Sequence, residues 1–392
     1  MSEIKDIPKH WEIRKLGEVC EIFAGGDVPK DNFSLTPSDK YQIPIYANGE
    51  KNKGLYGYTD IAKVITPSVT ISARGTIGFA LVRNKPFFPI VRLIVLNPNK
   101  TLDVSFLKYA IDNSKIKHTG SSIPQLTVPV VKTITILLPP LPEQQAIVAK
   151  IEELLSELDN GKQQLLTAQQ QLKVYRQSLL KWAFEGKLTN GTKNWKSLKL
   201  KDASIKIVVG YVGPVAEHIV KSGGVKFLST THIGENEFLN HEIREVSNVF
   251  NEKNKKSQVI PGDILIARHG DSGKACIVPD IIQFAQVSNA VILRPNPEII
   301  SSKFICYRLN AERQRMQKMK VGGVFQVVNT KSMESFILSI PAIEEQQLIV
   351  SELESKLTVC DKIEETISQS LQQAETLRQS ILKKAFEGRL VN

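Results

Sequence analysis

The sequence predicts an α+β chain in which two mixed α/β domains are each followed by a long helix. The two helices pair as an antiparallel coiled coil with pseudo-twofold symmetry. Three observations predict this arrangement: an internal repeat across the 392 residues, a heptad pattern in two separate segments, and short β-branched runs in the parts between them. In chain order, we expect a first domain at 1–141, a first helix at 142–190, a second domain at 191–342 and a second helix at 343–392.

The repeat is clearest in three short motifs that recur at a constant offset of 202 residues. The motifs are Glu-Gln-Gln at 143–145 and 345–347, Arg-Gln-Ser at 176–178 and 378–380, and Ala-Phe-Glu-Gly at 183–186 and 385–388. Chance does not produce such an ungapped match, so the two segments are copies of one element. Trp11 and Trp195 begin the two copies, and the second carries about 18 extra residues before its Glu-Gln-Gln motif.

The first domain has the sequence character of a sheet with short helices. Its β-branched runs, which Gly and Pro punctuate, lie at 63–66, 69–72, 92–96 and 134–138. The segment 106–111 has the spacing of a short amphipathic helix. These patterns predict a twisted, mainly antiparallel sheet with helices packed against it.

The segment after Pro142 predicts one long helix. Pro142 suits the first helical turn, and Gly186 suits a C-terminal cap. Apolar residues recur at alternating spacings of four and three, a coiled-coil stripe that Gly161 interrupts. The stripe consists of Ile147, Ile151, Leu154, Leu158, Leu165, Ala168, Leu172, Tyr175 and Leu179. A helix of forty-odd residues spans roughly 60 Å, so it is too long to be buried inside one small domain and needs a partner.

The second copy repeats both parts. Its β-branched runs lie at 259–260, 263–266, 290–293 and 336–340, and the segment 304–309 matches the short helix of the first copy. Its stripe, which Lys356 and Ser370 interrupt, consists of Ile349, Leu353, Cys360, Ile363, Ile367, Ala374, Leu377 and Ile381. Two long helices with matching stripes in one chain predict antiparallel pairing.

Composition favours a polyanionic partner. The net charge is +11, and Lys and Arg beside phosphates release condensed counterions. The chain has neither an apolar N-terminal segment nor a run of about 18 apolar residues. The four cysteines, Cys20, Cys276, Cys306 and Cys360, lack the CxxC spacing of zinc sites. We therefore expect a cytoplasmic protein without a membrane segment, a structural metal or a disulfide framework.

The motifs together resemble one known family. Gly-Gly-Asp-Val-Pro at 25–29, Ser-Ala-Arg-Gly-Thr-Ile-Gly at 72–78 and Pro-Pro-Leu-Pro-Glu-Gln-Gln at 139–145 are similar to motifs of the specificity subunit of type I restriction-modification enzymes. The resemblance covers essentially the whole chain. The second copy departs from it at 210–214, which reads Gly-Tyr-Val-Gly-Pro, and at 340–347, where the double proline is missing.

The resemblance implies a division of labour between subunits. Each domain would be a target recognition domain that reads one half of a split double-stranded DNA target, and the helices would fix the gap between the halves. Two methyltransferase subunits would bring S-adenosylmethionine for adenine methylation. Two restriction subunits, which are translocase-nucleases that use ATP and Mg²⁺, would carry out cleavage. The chain itself would then have no catalytic residue, cofactor or metal.

Base reading needs polar side chains on loops that reach the groove edges, with basic groups beside them for the phosphates. Both domains contain candidates of this kind. In the first domain they are Lys30, Asn32, Tyr46, Asn48, Lys51, Lys53, Arg74 and Gln125. In the second domain they are Thr230, Thr231, His232, Arg268, His269, Lys274, Asn289 and Gln326. Arg74 and Arg268 stand out because the repeat places them equivalently, although either could instead hydrogen-bond the carbonyls of a turn.

Two other function classes remain open from the sequence. A coiled-coil scaffold that binds only proteins would need no polar loops at equivalent positions. A stand-alone DNA-binding regulator should carry a helix-turn-helix or a basic region, and neither is recognisable here. An enzyme is disfavoured, because the chain has no Asn-Pro-Pro-Tyr or Asp-Pro-Pro-Tyr motif, and the Gly-Asp-Ser-Gly-Lys run at 270–274 is too short for a phosphate-binding loop.

Overall fold

The chain forms two compact units. The computed structural model describes residues 8–114, 116, 125–189, 194–269, 272–318 and 330–391. Unit 1 consists of the described residues within Met1–Leu166 and Ser368–Asn392, and unit 2 of those within Thr167–Ile367. Unit 1 therefore combines two segments that are far apart in the sequence, whereas unit 2 is one continuous segment.

The first half of the chain supplies the strands of unit 1. These are β1 (Glu12–Lys15), β2 (Cys20–Ala24), β3 (Ile43–Tyr46), β4 (Leu55–Thr59), β5 (Ser68–Ile71), β6 (Ala80–Arg83), β7 (Phe88–Pro89), β8 (Ile94–Pro98) and β9 (Thr135–Leu138). The short helices are α1 (Leu16–Val19), α2 (Val104–Asn113) and α3 (Val128–Lys132). Three of the four predicted runs overlap strands, and the predicted short helix lies within α2.

The predicted strand at 63–66 is wrong. In this segment Val64 makes only an isolated antiparallel bridge to Phe87. Pro67 follows the segment and has no N–H to donate, so a ladder cannot continue through it.

The sheets of unit 1 are mainly antiparallel, as predicted. β2, β8, β5 and β6 form a four-stranded antiparallel sheet in that order, and β1 pairs with β9. A three-stranded sheet has the order β4-β3-β7, in which β3 and β7 are parallel. Both faces of the four-stranded sheet are covered, because Leu96 packs in the core with Phe106 of α2 while Val95 packs on the other side with Phe87.

The second half begins with the long helix α4 (Leu141–Phe184). The strands that follow are β10 (Lys196–Lys199), β11 (Ser204–Val209), β12 (Ile219–Val220), β13 (Val225–Leu228), β14 (Arg244–Val246), β15 (Gln258–Val259), β16 (Ile264–Ala267), β17 (Ala275–Ile277), β18 (Ala285–Val287), β19 (Ala290–Pro295) and β20 (Ile337–Ile340). The remaining helices are α5 (Asn248–Lys253), α6 (Ser302–Ala311), α7 (Arg313–Lys318), α8 (Thr330–Glu334) and α9 (Ile343–Phe386).

Unit 2 repeats the topology of unit 1. Its four-stranded antiparallel sheet has the order β11-β19-β16-β17, and β10 pairs with β20. Its five-stranded sheet, β12-β14-β13-β18-β15, contains a parallel pair, β13 with β18, that matches β3 with β7. Most of the extra residues of the second copy lie between β13 and β16, where α5 has no counterpart helix in unit 1. The isolated bridge of Val64 to Phe87 stands in unit 1 where β15 pairs with β18 in unit 2.

The two long helices run antiparallel within each unit, as predicted. In unit 1, Arg378 of α9 donates to Asp159 of α4 at 3.0 Å. In unit 2, Arg176 of α4 donates to Asp361 and Glu364 of α9 at 2.6 and 2.9 Å. These arginines belong to the repeated Arg-Gln-Ser motif, which therefore joins the helices. The domain boundaries assigned at 141, 190 and 342 stay a prediction.

The predicted stripe is wrong by one residue at the arginines. Tyr175 is 43% exposed and its counterpart Leu377 is 51% exposed, because Arg176 and Arg378 occupy the contact with the opposite helix instead. Ile363, another predicted stripe residue, is 44% exposed. The buried residues around Arg176 are Leu172, Leu179 and Ala183. Arg176 lies on the same face of the helix as these residues, whereas Tyr175 faces solvent.

The repeated Glu-Gln-Gln motif fastens the start of each long helix to its unit. The indole of Trp11 donates to Glu143 at 2.9 Å, and the indole of Trp195 donates to Glu345 at 3.1 Å. The next residue is a fully buried glutamine in both copies, Gln144 and Gln346. The two glutamines occupy equivalent positions in the repeat and make equivalent hydrogen bonds.

Each buried glutamine satisfies three backbone groups. Gln144 accepts from Asp103 N at 2.8 Å and donates to Thr101 O at 2.9 Å and Pro139 O at 2.8 Å. Gln346 makes the same three bonds to Ser301 N, Ile299 O and Pro341 O. The amide thereby joins the long helix, the strand before it and the cap of α2 or α6.

The repeated Ala-Phe motif closes the core of each unit from the far end of a long helix. In unit 1, the ring of Phe386 packs on Phe106 with centroids 5.1 Å apart. In unit 2, the ring of Phe184 packs on Phe304 at 5.5 Å. Each core therefore contains the start of one long helix and the end of the other.

We predict that Gln144→Ala lowers the free energy of unfolding of the full chain by about 3 kcal/mol, because three backbone groups in buried or partly buried hydrogen bonds lose this partner. Urea denaturation followed by circular dichroism measures this change. The matched control is Gln145→Ala, which removes the exposed glutamine next to it and should have little effect. Equal losses in both variants would contradict the role of the buried amide.

Candidate nucleic-acid interface

Four loops of unit 1 meet at one end of its larger sheets. β2 and β5 both end beside the start of β8, since Ala24 and Ile71 both pair with Ile94. β3 ends beside the end of β7, where Tyr46 pairs with Pro89. The loops that leave these ends form what we call the first loop cluster, and they are 25–30, 47–54, 72–76 and 90–93.

Main-chain hydrogen bonds fix two of these loops to each other. Gly25 N donates to Leu93 O at 2.8 Å, and Val91 N donates to Gly26 O at 2.8 Å. A Cβ atom on Gly25 would lie 2.7 Å from Ile90 N, so only glycine allows this approach. The Gly-Gly motif therefore serves close backbone packing.

Asn48 joins three loops of the cluster. Its amide nitrogen donates to Val91 O at 2.6 Å, and its amide oxygen accepts from Ala73 N at 2.7 Å. Next to it, Gly49 N donates to Ser72 Oγ at 3.0 Å. The predicted base contact of Asn48 stays a prediction, but this structure engages both ends of its amide in holding the loops.

A buried arginine supports the tip of the loop at 47–54. The guanidinium of Arg83 lies 3.6 Å from the centre of the Tyr46 ring, and donates to Lys53 O at 2.7 Å and Thr70 Oγ1 at 3.1 Å. Burial lowers the pKa of Arg83. Tyr46 thus packs against a structural cation, whereas Lys51 and Lys53 expose their side chains at the loop tip.

Arg74 and Gln125, both predicted candidates, lie together. Arg74 is exposed, and its guanidinium donates to Gln125 Oε1 at 2.9 Å. Of the two candidates that follow β2, Lys30 is exposed. Asn32 is half-buried, and its backbone N–H donates to Pro29 O at 3.1 Å. This surface therefore combines exposed cations with amides.

Unit 2 has a matching arrangement, the second loop cluster. β11 and β16 both end beside the start of β19, as β2 and β5 do beside β8. Ser288 N donates to Leu228 O at 2.9 Å, and Asn289 N donates to Tyr211 O at 3.0 Å. The loops of this cluster are 210–214, 229–234, 267–269 with 272–274, and 288–289.

The three candidates after β13 differ in how far their side chains are exposed to solvent. Thr231 is exposed, and its hydroxyl lies 2.7 Å from the Ser229 hydroxyl. His232 is only 3% exposed, accepts from Ser229 N at 3.0 Å and stacks on Phe238. Burial lowers the pKa of His232. Its ring supports the loop from inside in this structure, while Thr230 is half-buried.

The remaining candidates of unit 2 lie on the turns after β16 and before β19. Burial lowers the pKa of Arg268, which is half-buried like Lys274, whereas His269 is exposed. Asn289 takes a left-handed backbone conformation with φ of 55°. Gln326 lies outside the described residues.

The sequence comparison decides the family. Residues 8–168 and residues 192–373 each match the family described as the type I restriction modification DNA specificity domain. The chain belongs to this family. The assignment made from the sequence motifs is confirmed. The family model matches the chain twice, once in each copy of the internal repeat.

Curated relatives of the chain are specificity subunits. It is 29% identical over 298 residues to the specificity subunit of the type I restriction enzyme EcoBI of Escherichia coli, covering 70% of this chain and 61% of that subunit. It is 35% identical over 183 residues to the putative type I specificity subunit S.MpnORF89P of Mycoplasma pneumoniae, covering 44% and 54%. These matches span only about half to three fifths of each relative. The EcoKI specificity subunit of Escherichia coli is 24% identical, covering 98% and 90%.

Two solved structures share the fold. One is a chain from work on complex assembly and conformational transition of the type I R-M system, with a TM-score of 0.76, 20% identity and coverage of 98% of this chain and 100% of that chain. The other is the HsdS subunit from Thermoanaerobacter tengcongensis, with a TM-score of 0.65, 19% identity and 98% coverage of both. The predicted fold class is confirmed.

In this member of the specificity family, two exposed residues of the first loop cluster were not among the candidates predicted from the sequence. Val91 and Arg92 are exposed at the turn before β8, and both have left-handed backbones, with φ of 53° and 60°. No sequence signal marks them, because Val and Arg are not residues that such turns favour. Only the tertiary hydrogen bonds identify this turn as part of the cluster.

Two features of the described residues concern metal binding and thiol chemistry. No cluster of three or more His, Cys, Asp or Glu side chains that could hold a metal occurs among them. Burial raises the pKa of Cys20 and of Cys276 to about 12, so these thiols are protonated at neutral pH. No helix of the described part of the chain is long and apolar enough to cross a membrane.

We predict that Asn48→Ala speeds hydrogen exchange at the Ala73 amide about fivefold, because that N–H loses an acceptor whose net contribution is roughly 1 kcal/mol. Exchange measured by mass spectrometry or NMR on the full chain tests this. The control is Asn32→Ala, a change in a neighbouring loop. Unchanged exchange at Ala73 in the Asn48 variant would show that the amide does not fasten the loops.

Proposed function

We propose that this chain is a non-catalytic DNA-reading subunit of a type I restriction-modification enzyme. The first loop cluster contacts one half of a split double-stranded DNA target, and the second loop cluster contacts the other. Reading by this chain directs adenine methylation and restriction to that target. Exposed polar and basic side chains on fastened loops are the groups that base edges and phosphates require.

One observation carries the proposal: the two clusters occupy the same positions of one topology but present different side chains. The exposed cations of the first cluster are Lys30, Lys51, Lys53, Arg74 and Arg92. The exposed polar side chains of the second cluster include those of Thr231 and His269. Because different side chains read different bases, the two half-sites should differ in sequence.

The chemistry belongs to partner subunits in this proposal. Two methyltransferase subunits bind S-adenosylmethionine and transfer its methyl group, and two restriction subunits use ATP and Mg²⁺. The chain contributes position and sequence choice.

An exchange of the first domain tests the proposal. Residues 1–140 are replaced by the corresponding part of another family member that keeps an aromatic residue at the position of Phe106, so that Phe386 still has its partner. We expect the methylated motif to change in one half and to keep the other half. Mapping of methylated adenines in cells that also express the methyltransferase partner measures this.

The control is the unexchanged chain, with and without the same methyltransferase. A split motif should appear only when the chain is present. The proposal fails if methylation does not depend on the chain, or if the exchanged chain methylates the original motif in both halves.

We also predict that Lys51→Ala weakens binding of the methyltransferase complex to all DNA sequences alike, because an exposed lysine at a loop tip contacts phosphate. The slope of log affinity against log salt concentration should fall by about 1. Fluorescence anisotropy at several salt concentrations measures both quantities. Lys100→Ala, at an exposed lysine outside the clusters, is the control, and equal slopes for the two variants would contradict the contact.

A further inference from the structure

The turn between β7 and β8 has a backbone that its residues do not favour. Leu93 N donates to Ile90 O at 3.0 Å, and the two central residues, Val91 and Arg92, have φ of 53° and 60°. Positive φ at both central residues is the signature of a type I′ turn, which Asn-Gly forms readily. A β-branched residue with positive φ is a genuine outlier, so this turn is strained at Val91.

Two other loops of the unit hold the strained turn in place with three hydrogen bonds. Val91 N donates to Gly26 O at 2.8 Å, and Arg92 N donates to Gly25 O at 3.1 Å. The carbonyl of Val91 accepts from the amide of Asn48 at 2.6 Å. These bonds all use backbone atoms of the turn, so they would form equally well with Asn-Gly in place of Val-Arg.

The side chains of the turn do not explain its sequence from within unit 1. Val91 is 48% exposed, and Arg92 is exposed with no hydrogen bond or ion pair from its guanidinium to any described residue. Folding alone would therefore favour Asn-Gly. Strained residues that the fold retains without internal use are typical of sites that contact a ligand.

Unit 2 shows the unstrained alternative at the same place. Asn289 N donates to Tyr211 O as Val91 N donates to Gly26 O, which makes Asn289 the counterpart of Val91. Asn tolerates its φ of 55°. The turn of unit 2 is one residue shorter and has no counterpart of Arg92, so the strained Val-Arg pair is particular to unit 1.

We infer that the Val91–Arg92 turn reads bases of the first half-site, an inference that rests on the proposed function. The guanidinium of Arg92 donates two hydrogen bonds to the O6 and N7 atoms of a guanine in the major groove. The methyl groups of Val91 pack beside it on an apolar base edge such as a thymine methyl. The strained backbone aims both side chains out of the cluster.

The first test uses the double variant V91N/R92G, which suits the turn but removes both side chains. We expect its melting temperature to equal or exceed that of the unaltered chain. Methylation at the original sites should fall at least tenfold, with degeneracy confined to one half of the motif. Ile65→Asn, which replaces another exposed branched residue of unit 1, should leave the motif unchanged.

The second test is Arg92→Lys, which keeps the charge but loses the two-pronged donor. We expect it to bind DNA within about threefold of the unaltered chain while losing the preference for guanine at one position of the motif. The inference is overturned if Arg92→Lys leaves the methylated motif unchanged, or if V91N/R92G methylates the original sites within twofold of the unaltered chain. A lowered melting temperature of V91N/R92G also overturns it. The unaltered chain separates the two claims: if it yields a split motif, the proposed function stands whatever these variants do.

Discussion

Unit 1 depends on apolar side chains that the C-terminal end of the chain supplies to its core. Ile381, Leu382, Ala385 and Phe386 are all less than a tenth exposed and belong to the same core as Phe106. Burial of the three large side chains contributes roughly 5–8 kcal/mol, which is comparable to the 5–15 kcal/mol that holds a typical domain together. Unit 1 therefore needs the end of α9.

The two units reach this closure with different chain connections. Phe184 and Phe304 lie in one continuous segment, whereas Phe106 and Phe386 are more than twice as far apart in sequence. Loop-closure entropy grows only with the logarithm of loop length, so the longer connection costs unit 1 about 0.5–1 kcal/mol more. That cost is small beside the burial it allows, so a discontinuous unit can be stable.

The sequence was informative about the frame and less so about the directions of side chains. The helix lengths, the antiparallel pairing and the mainly antiparallel sheets follow from periodicities that local chemistry sets. The predicted stripe was wrong by one residue because the sequence does not fix the order of the spacings of three and four until the partner helix is known. In the structure Arg176, rather than Tyr175, contacts the opposite helix, where it donates to Asp361. The Glu-Gln-Gln motif was visible, but its role depends on backbone groups about forty residues away, such as Thr101 O for Gln144.

The candidate loops show the same limit more strongly. Polarity on a loop predicts that a side chain makes hydrogen bonds, but not whether it makes them to a ligand or to its own fold. Asn48 and His232 bond to neighbouring backbone, whereas Lys51 points to solvent. Val91 could not be found at all, because the sequence preference at that turn contradicts the backbone that the tertiary contacts impose.

Under the proposed function, holding the loops together and reading bases require the same residue types, so each cluster divides its polar side chains between the two tasks. In the first cluster, the amide of Asn48 and the buried Arg83 hold the backbone, which leaves the cations at the loop tips unneeded for packing. A base-edge hydrogen bond discriminates only if its donor is held in place, since a mobile donor finds an acceptor on any base. Under the proposed function, the internal bonds of the clusters therefore hold in place the few exposed side chains that carry sequence choice. The strain at Val91 is tolerated because those bonds over-determine the turn.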